Sequence, residues 1–148
     1  MKNEIYEYLI NYGFSKENLD RFEELNEDMY FVSLDKVKEN INFFEGKELN
    51  NKEIISLANI NPFILTLSSK RKNTFDEIYI NKLNLSSDQI KYLLNNNSNI
   101  YTCSPLEFDK IINYLNYDKN YSIDNIKQII LNNPNIINKK IDEIAGII

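Results

Sequence analysis

The sequence predicts an all-α fold, an α-solenoid of about four stacked helix–turn–helix repeats of 35–36 residues. Three observations carry that prediction. One stretch recurs along the chain: Asn84, Leu85, Ser86, Ile90, Leu93, Leu94, Asn97 and Ile100 are answered 36 positions on by Asn120, Tyr121, Ser122, Ile126, Ile129, Ile130, Asn133 and Ile136. Earlier copies stand at Leu49, Asn50, Ile54, Leu57, Ala58, Asn61 and Ile64, and 35 positions before those at Gly13 to Met29. Apolar residues within each copy follow the helical spacing of three and four, and stop and cap residues fall in register between them. A unit of this size cannot bury its apolar face alone, so neighbouring units must stack.

In chain order, Ile5, Tyr8, Leu9 and Tyr12 form the stripe of an amphipathic helix over residues 2–12. Gly13 ends it, because glycine tolerates the left-handed conformation that helix ends favour, and Ser15 caps the helix that follows. The same hinge recurs as Asn84-Leu85-Ser86 and Asn120-Tyr121-Ser122, asparagine being the other residue that enters the left-handed region readily. At Glu48-Leu49-Asn50 the pattern departs, and Gly46 is expected to supply the stop. Each hinge opens a first helix of about three turns. Its inward positions are Leu19 and Phe22; Ile54, Leu57 and Ala58; Ile90, Leu93 and Leu94; and Ile126, Ile129 and Ile130. These helices end at Asn26, Asn61, Asn97 and Asn133, two of them followed by Pro62 and Pro134, which disfavour helix in the residue before them. A short apolar turn follows, and a second helix opens at Ser33, Ser68 and Ser104. Ser104-Pro105-Leu106-Glu107 combines a serine cap, proline in the first turn and glutamate three residues on. The units are expected at roughly residues 1–36, 37–72, 73–108 and 109–148 of one domain. Ile141 to Ile148 finishes on bare isoleucines, which either pack back on the core or pair two molecules.

Composition excludes more than it assigns. Hydrophobic residues make up 43% and charged residues 26% of 148, so the chain is globular and long enough to build a continuous core. One cysteine and no histidine leave neither a four-ligand zinc site nor a histidine-activated nucleophile. Three glycines, at 13, 46 and 146, make no phosphate-binding loop, so neither a nucleotide cofactor nor a metal is expected. The N-terminal residues resemble neither a secretory signal nor a transit peptide. No apolar run of about 18 residues is present to span a membrane, so a cytoplasmic or otherwise intracellular protein is expected.

The strings YGFS at Tyr12 to Ser15, LNLS at Leu83 to Ser86, NPFIL at Asn61 to Leu65 and NPNII at Asn133 to Ile137 resemble the mitochondrial transcription termination factor (mTERF) repeat over nearly the whole chain. Pentatricopeptide and tetratricopeptide repeats have a similar length but lack an Asn-Pro turn between two serine caps. The resemblance implies a solenoid bent into a half-ring with nucleic acid in a basic groove. The chain departs from that pattern in its formal charge of −5, the excess acidity lying within residues 1–36.

Two sets of charged residues are candidate sites. Lys70, Arg71 and Lys72 form the one run of three basic residues and, with Lys139 and Lys140 at the opening of the last unit, offer a phosphate-binding stripe. Asp20, Glu23, Glu24, Glu27 and Asp28 form an acidic cluster suited to a basic partner protein. Cys103 matches Val32 and Leu67 in register and reads as a buried apolar residue; Tyr6, Tyr114 and Tyr117 are the tyrosines placed to stack on bases. The first expectation is a non-enzymatic module that binds a protein partner through its acidic first repeat, as an inhibitor or regulator of a nucleic-acid-handling machine. The alternative is mTERF-like DNA or RNA binding through the basic stripe, and a third reading is a hydrolase using surface carboxylates.

Overall fold

A computed structural model describes residues 2–27 and 29–144. It is helical, with no strand among the described residues. The helices are α1 (Lys2–Tyr12), α2 (Lys16–Leu25), α3 (Leu34–Gly46), α4 (Asn51–Ile60), α5 (Ser69–Asp76), α6 (Ser87–Asn96), α7 (Pro105–Asn113), α8 (Ile123–Asn132) and α9 (Ile141–Ile144). Contacts gather the chain into two compact units, Met1–Ser68 and Ser69–Ile148. In the first, α1 packs on α2 and α3, and α3 packs on α4 and on the 3₁₀ turn Pro62–Thr66. In the second, α7 packs on α9 and on the 3₁₀ turn Pro134–Asn138.

Six helices carry side-chain caps at their first turn. The side chains of Ser15, Ser33, Asn50, Ser86, Ser104 and Ser122 each accept the backbone N–H three residues on, satisfying a donor that the first helical turn leaves free. Asn50 with Glu53 and Ser86 with Gln89 complete reciprocal capping boxes. Nearly every predicted inward position is buried; Ile129, at the edge of the α8 stripe, is half-exposed.

The hinges between units share one geometry. Gly13 lies at φ 130°, Glu48 at 69°, Asn84 at 54° and Asn120 at 57°. At Gly13 the N–H donates to the Ile10 carbonyl at 3.1 Å and Phe14 N–H to the Leu9 carbonyl at 3.0 Å, the paired bonds of a Schellman stop. Glu48 and Leu49 repeat that pair with the carbonyls of Glu45 at 2.9 Å and Phe44 at 3.2 Å. The expectation for Gly46 is therefore corrected: it is the last residue of α3, and Glu48 takes the left-handed position itself. The constraint is the position in register, since Leu49 must swing into the core as Phe14, Leu85 and Tyr121 do at their hinges.

The change of spacing from 35 to 36 residues also has a structural cause. Fifteen positions separate the cap Ser33 from the hinge Glu48, but 16 separate Ser68 from Asn84 and Ser104 from Asn120. In the latter two units the second helix widens into a π turn, Glu77–Lys82 after α5 and Tyr114–Asp118 after α7. The closing bonds lengthen to match: Leu85 N–H donates to the Tyr79 carbonyl and Tyr121 N–H to that of Leu115, both at 2.9 Å. A π turn absorbs one added residue without breaking the helix, so the apolar stripe and the hinge keep their places.

Two stop asparagines, Asn26 and Asn97, tie their first helices to neighbouring turns. Asn26, Asn61 and Asn97 are buried. The Asn26 amide donates to Thr66 Oγ1 at 3.2 Å; Asn97, its counterpart two units on, donates to Asn138 Oδ1 and the Pro134 carbonyl, both at 3.0 Å. Thr66 and Asn138 each stand five residues after their own stop asparagine, so the same bond is made twice by register. The core beside these turns is aromatic: in the second unit Phe75, Tyr79, Tyr101 and Phe108 pack with ring centroids 5.4–5.9 Å apart. Their hydroxyls are satisfied, Tyr101 by Asp76 at 2.7 Å and Tyr79 by the Ile100 carbonyl.

Glu48→Gly removes the cost of a side chain in the left-handed region and is expected to stabilise the protein by about 1 kcal/mol, raising Tm by roughly 2–4 °C. Gly13→Ala is expected to destabilise it by about 2 kcal/mol, because φ 130° is outside alanine's range and its Cβ would stand 2.9 Å from Ile55 Cδ1. Thermal denaturation of the two variants should move in opposite directions. Burial, first among several causes, raises Tyr12 and Tyr30 from 10.0 to about 12 and Tyr79 and Tyr101 further. A tyrosine whose pKa is raised on folding contributes stability in full below pH 10, and that contribution is lost as the pH climbs through about 12. Alkaline titration followed by tyrosinate absorbance should show exposed tyrosines ionising first and the buried set only together with loss of helix. A single smooth titration of all ten, with helix retained, would contradict the packing.

Candidate nucleic-acid interface

The three adjacent cations on α5 are held differently. Lys70 is exposed, whereas Lys72 is 7% exposed. Arg71 is half-buried; its guanidinium stands 6.0 Å from the Phe75 ring centroid and donates to the Cys103 carbonyl at 2.7 Å. Successive helical residues point about 100° apart, so a run of three cannot share one surface. The bond to Cys103 has a counterpart in the first unit. The carbonyl of Leu67, likewise the residue before a second-helix serine, is taken by the fully buried amide of Asn40 at 3.2 Å, which also reaches the Leu65 carbonyl at 2.9 Å. Arg71 thus binds one unit to the next turn. Of the other predicted pair, Lys140 is exposed and Lys139 half-buried, and the Lys140 N–H is capped by Glu143 Oε1 at 2.9 Å.

Other cations come from a register that the charge runs did not reveal. Lys91 and Lys127 occupy the same position of α6 and α8, five residues after Ser86 and Ser122; in the first unit that position holds Asp20 and Ile55. Lys127 Nζ reaches the carbonyl of the hinge residue Asn84 at 3.0 Å. Aligning the caps would have found this pair. Lys82 is neutralised by Asp109 at 2.6 Å, with Asn113 at 3.0 Å. Lys119 is exposed, with Nζ 5.9 Å from the Tyr114 ring centroid. Close by in sequence, Tyr117 is 73% exposed, while Tyr114 and Tyr6 are half-buried.

Charge divides between the two units. Residues 1–68 carry 7 basic and 13 acidic side chains, and residues 69–148 carry 10 and 9. The exposed carboxylates of Asp20, Glu23 and Glu24 lie on α2 and that of Glu27 in the turn after it; Asp28 lies outside the described residues. Between α5 and α7 runs a groove of about 750 Å³ whose apolar lining is Ile78, Pro105 and Leu106. One lysine, Lys70, lines it against the carboxylates of Glu77 and Asp109, so it is no anion pocket.

Cys103 is half-buried, and burial pushes its thiol up to about 11, which leaves a weak nucleophile rather than a reactive one. Among the described residues no three of Cys, Asp and Glu converge as metal ligands would. Nor is any described helix long and apolar enough to cross a membrane. In the C-terminal segment Ile144 is buried, and residues 145–148 lie outside the described residues.

Repeat length, left-handed hinges, Asn-Pro stops and serine caps together reproduce the features on which the resemblance was founded. A search of curated proteins finds no match. The mTERF family profile matches residues 1–145. The chain therefore belongs to the mTERF family, as an all-α helical-repeat protein.

Proposed function

We propose that this is an intracellular, non-enzymatic nucleic-acid-binding module whose phosphate contacts come from residues 69–148. The observation that carries this reading is the family match across the chain. The division of charge supports assigning the contact to the second unit: there the basic side chains are no longer outnumbered, while 13 acids in the first unit repel a phosphate backbone. Lys70 and Lys140 are exposed and Lys139 half-exposed, and Lys91 and Lys127 repeat in register, as a ligand that runs along successive repeats requires. Arg71 acts through the fold, by holding the Cys103 carbonyl. Exposed Tyr117 offers a face on which an unpaired base can stack.

A mobility shift with single- and double-stranded DNA and RNA tests the proposal. The full chain should retain nucleic acid at low salt and lose it as salt rises. Lys70→Ser/Lys139→Ser/Lys140→Ser should flatten the log–log salt dependence on duplex by about 0.9 for each phosphate contact removed. Lys16→Ser/Lys52→Ser in the first unit should leave it unchanged. No shift at low salt with any of the four ligands would overturn the reading and return the acidic face of α2, with a protein ligand, to first place.

A further inference from the structure

The first unit carries an apolar edge that the second lacks at the same register. Leu25 and Ile60, immediately before the stop asparagines Asn26 and Asn61, are 52% and 73% exposed. Phe31 and Phe63, in the turns that follow, are 79% and 47% exposed. Hydrogen bonds set these segments side by side. The Asn26 amide donates to the Thr66 hydroxyl, that hydroxyl donates to the Phe63 carbonyl, each at 3.2 Å, and the Arg21 guanidinium reaches the Asn59 carbonyl.

In the second unit the register of Leu25 and Ile60 holds Asn96 and Asn132, that of Phe31 holds Thr102 and Asn138, and that of Phe63 holds Asn99 and Asn135. The fold therefore does not require apolar side chains there, and where the second unit meets solvent it uses polar ones. Scattered exposed hydrophobics are ordinary; four large ones on segments that hydrogen bonds hold side by side mark an interaction surface.

We infer that this edge docks a protein segment that is both apolar and basic, such as an amphipathic helix with leucine or isoleucine on one face and lysine or arginine beside it. Charge selects that occupant. The exposed carboxylates of Glu23, Glu24 and Glu27 flank Leu25 in sequence, in a unit with 7 basic and 13 acidic side chains. A nucleic acid or an anionic membrane is repelled by that rim. A second copy docking through the same edge would set these carboxylates against their own equivalents. The inference stands apart from the nucleic-acid reading, since it uses the opposite unit and the opposite charge.

The test uses the full chain and a labelled synthetic helical peptide of leucine and lysine, with a leucine and glutamate peptide of the same pattern as control, followed by fluorescence anisotropy. The Leu/Lys peptide should bind and the Leu/Glu peptide should not. Phe31→Ser/Ile60→Ser and Glu23→Gln/Glu24→Gln/Glu27→Gln should each weaken binding about tenfold or more, with circular dichroism unchanged because the altered side chains are exposed. Phe31→Ser/Ile60→Ser, which changes no charge, should leave the nucleic-acid mobility shift unaltered. Failure of the Leu/Lys peptide to bind, equal binding by both peptides, or binding that ignores the variants would overturn the inference. So would sedimentation showing a dimer that Phe31→Ser/Ile60→Ser dissolves, since a second copy would then be the occupant.

Discussion

Between one repeat and the next the chain must reverse within three residues and still send an apolar side chain inward, and only a left-handed hinge residue does both. Gly13, Glu48, Asn84 and Asn120 occupy that conformation, and Phe14, Leu49, Leu85 and the less buried Tyr121 follow them. Everything downstream is placed by that reversal. Each first helix begins three residues later, just after its cap, runs a constant ten residues to a stop asparagine, and delivers the turn from which the second helix starts. The hinge is so strongly required that Glu48 adopts it despite its Cβ, with Gly46 two residues away.

The stop asparagine is the second fixed point. Its backbone N–H closes the last helical turn; at Asn26 and Asn97 its buried amide also reaches across to the turn of another repeat, at Thr66 and Asn138, whereas the exposed Asn133 amide turns back to the Ile129 carbonyl of its own helix. A buried amide left without partners would be destabilising, so this position couples helix termination to repeat spacing in a single residue. Between these fixed points the structure tolerates change. A π turn takes up one residue in two of the units, and the carbonyl before the second-helix serine is satisfied by Asn40 in one unit and Arg71 in another.

The repeat, its caps, its stops and its apolar stripes were legible in the sequence because each rests on local chemistry repeated in register. Glu48 was missed because a helix stop was assigned by residue type instead of by position. The π turns left a trace, the step from 35 to 36, whose meaning required the hydrogen bonds. The charged candidates were less legible. Lys70, Arg71 and Lys72 stand together in sequence, yet one is exposed, one grips a carbonyl and one is buried, because a helix turns neighbours apart. Lys91 and Lys127, 36 residues apart, share a position that no charge run marks. The exposed edge of Leu25, Phe31, Ile60 and Phe63 was hidden for a related reason, since apolar residues in an apolar-rich repeat look like core until burial separates them.

The two units thus share a frame and differ in surface, acidic with an apolar edge in residues 1–68 and nearly balanced in charge in residues 69–148. Family membership explains the frame; the surfaces determine which ligand each unit accepts. Lysine acetylation rates read by mass spectrometry, with and without bound nucleic acid, test that division most directly. Protection of Lys70, Lys91, Lys127, Lys139 and Lys140, with Lys16, Lys38 and Lys52 reacting as before, is the predicted result. Protection confined to the first unit, or spread evenly over both, would contradict it.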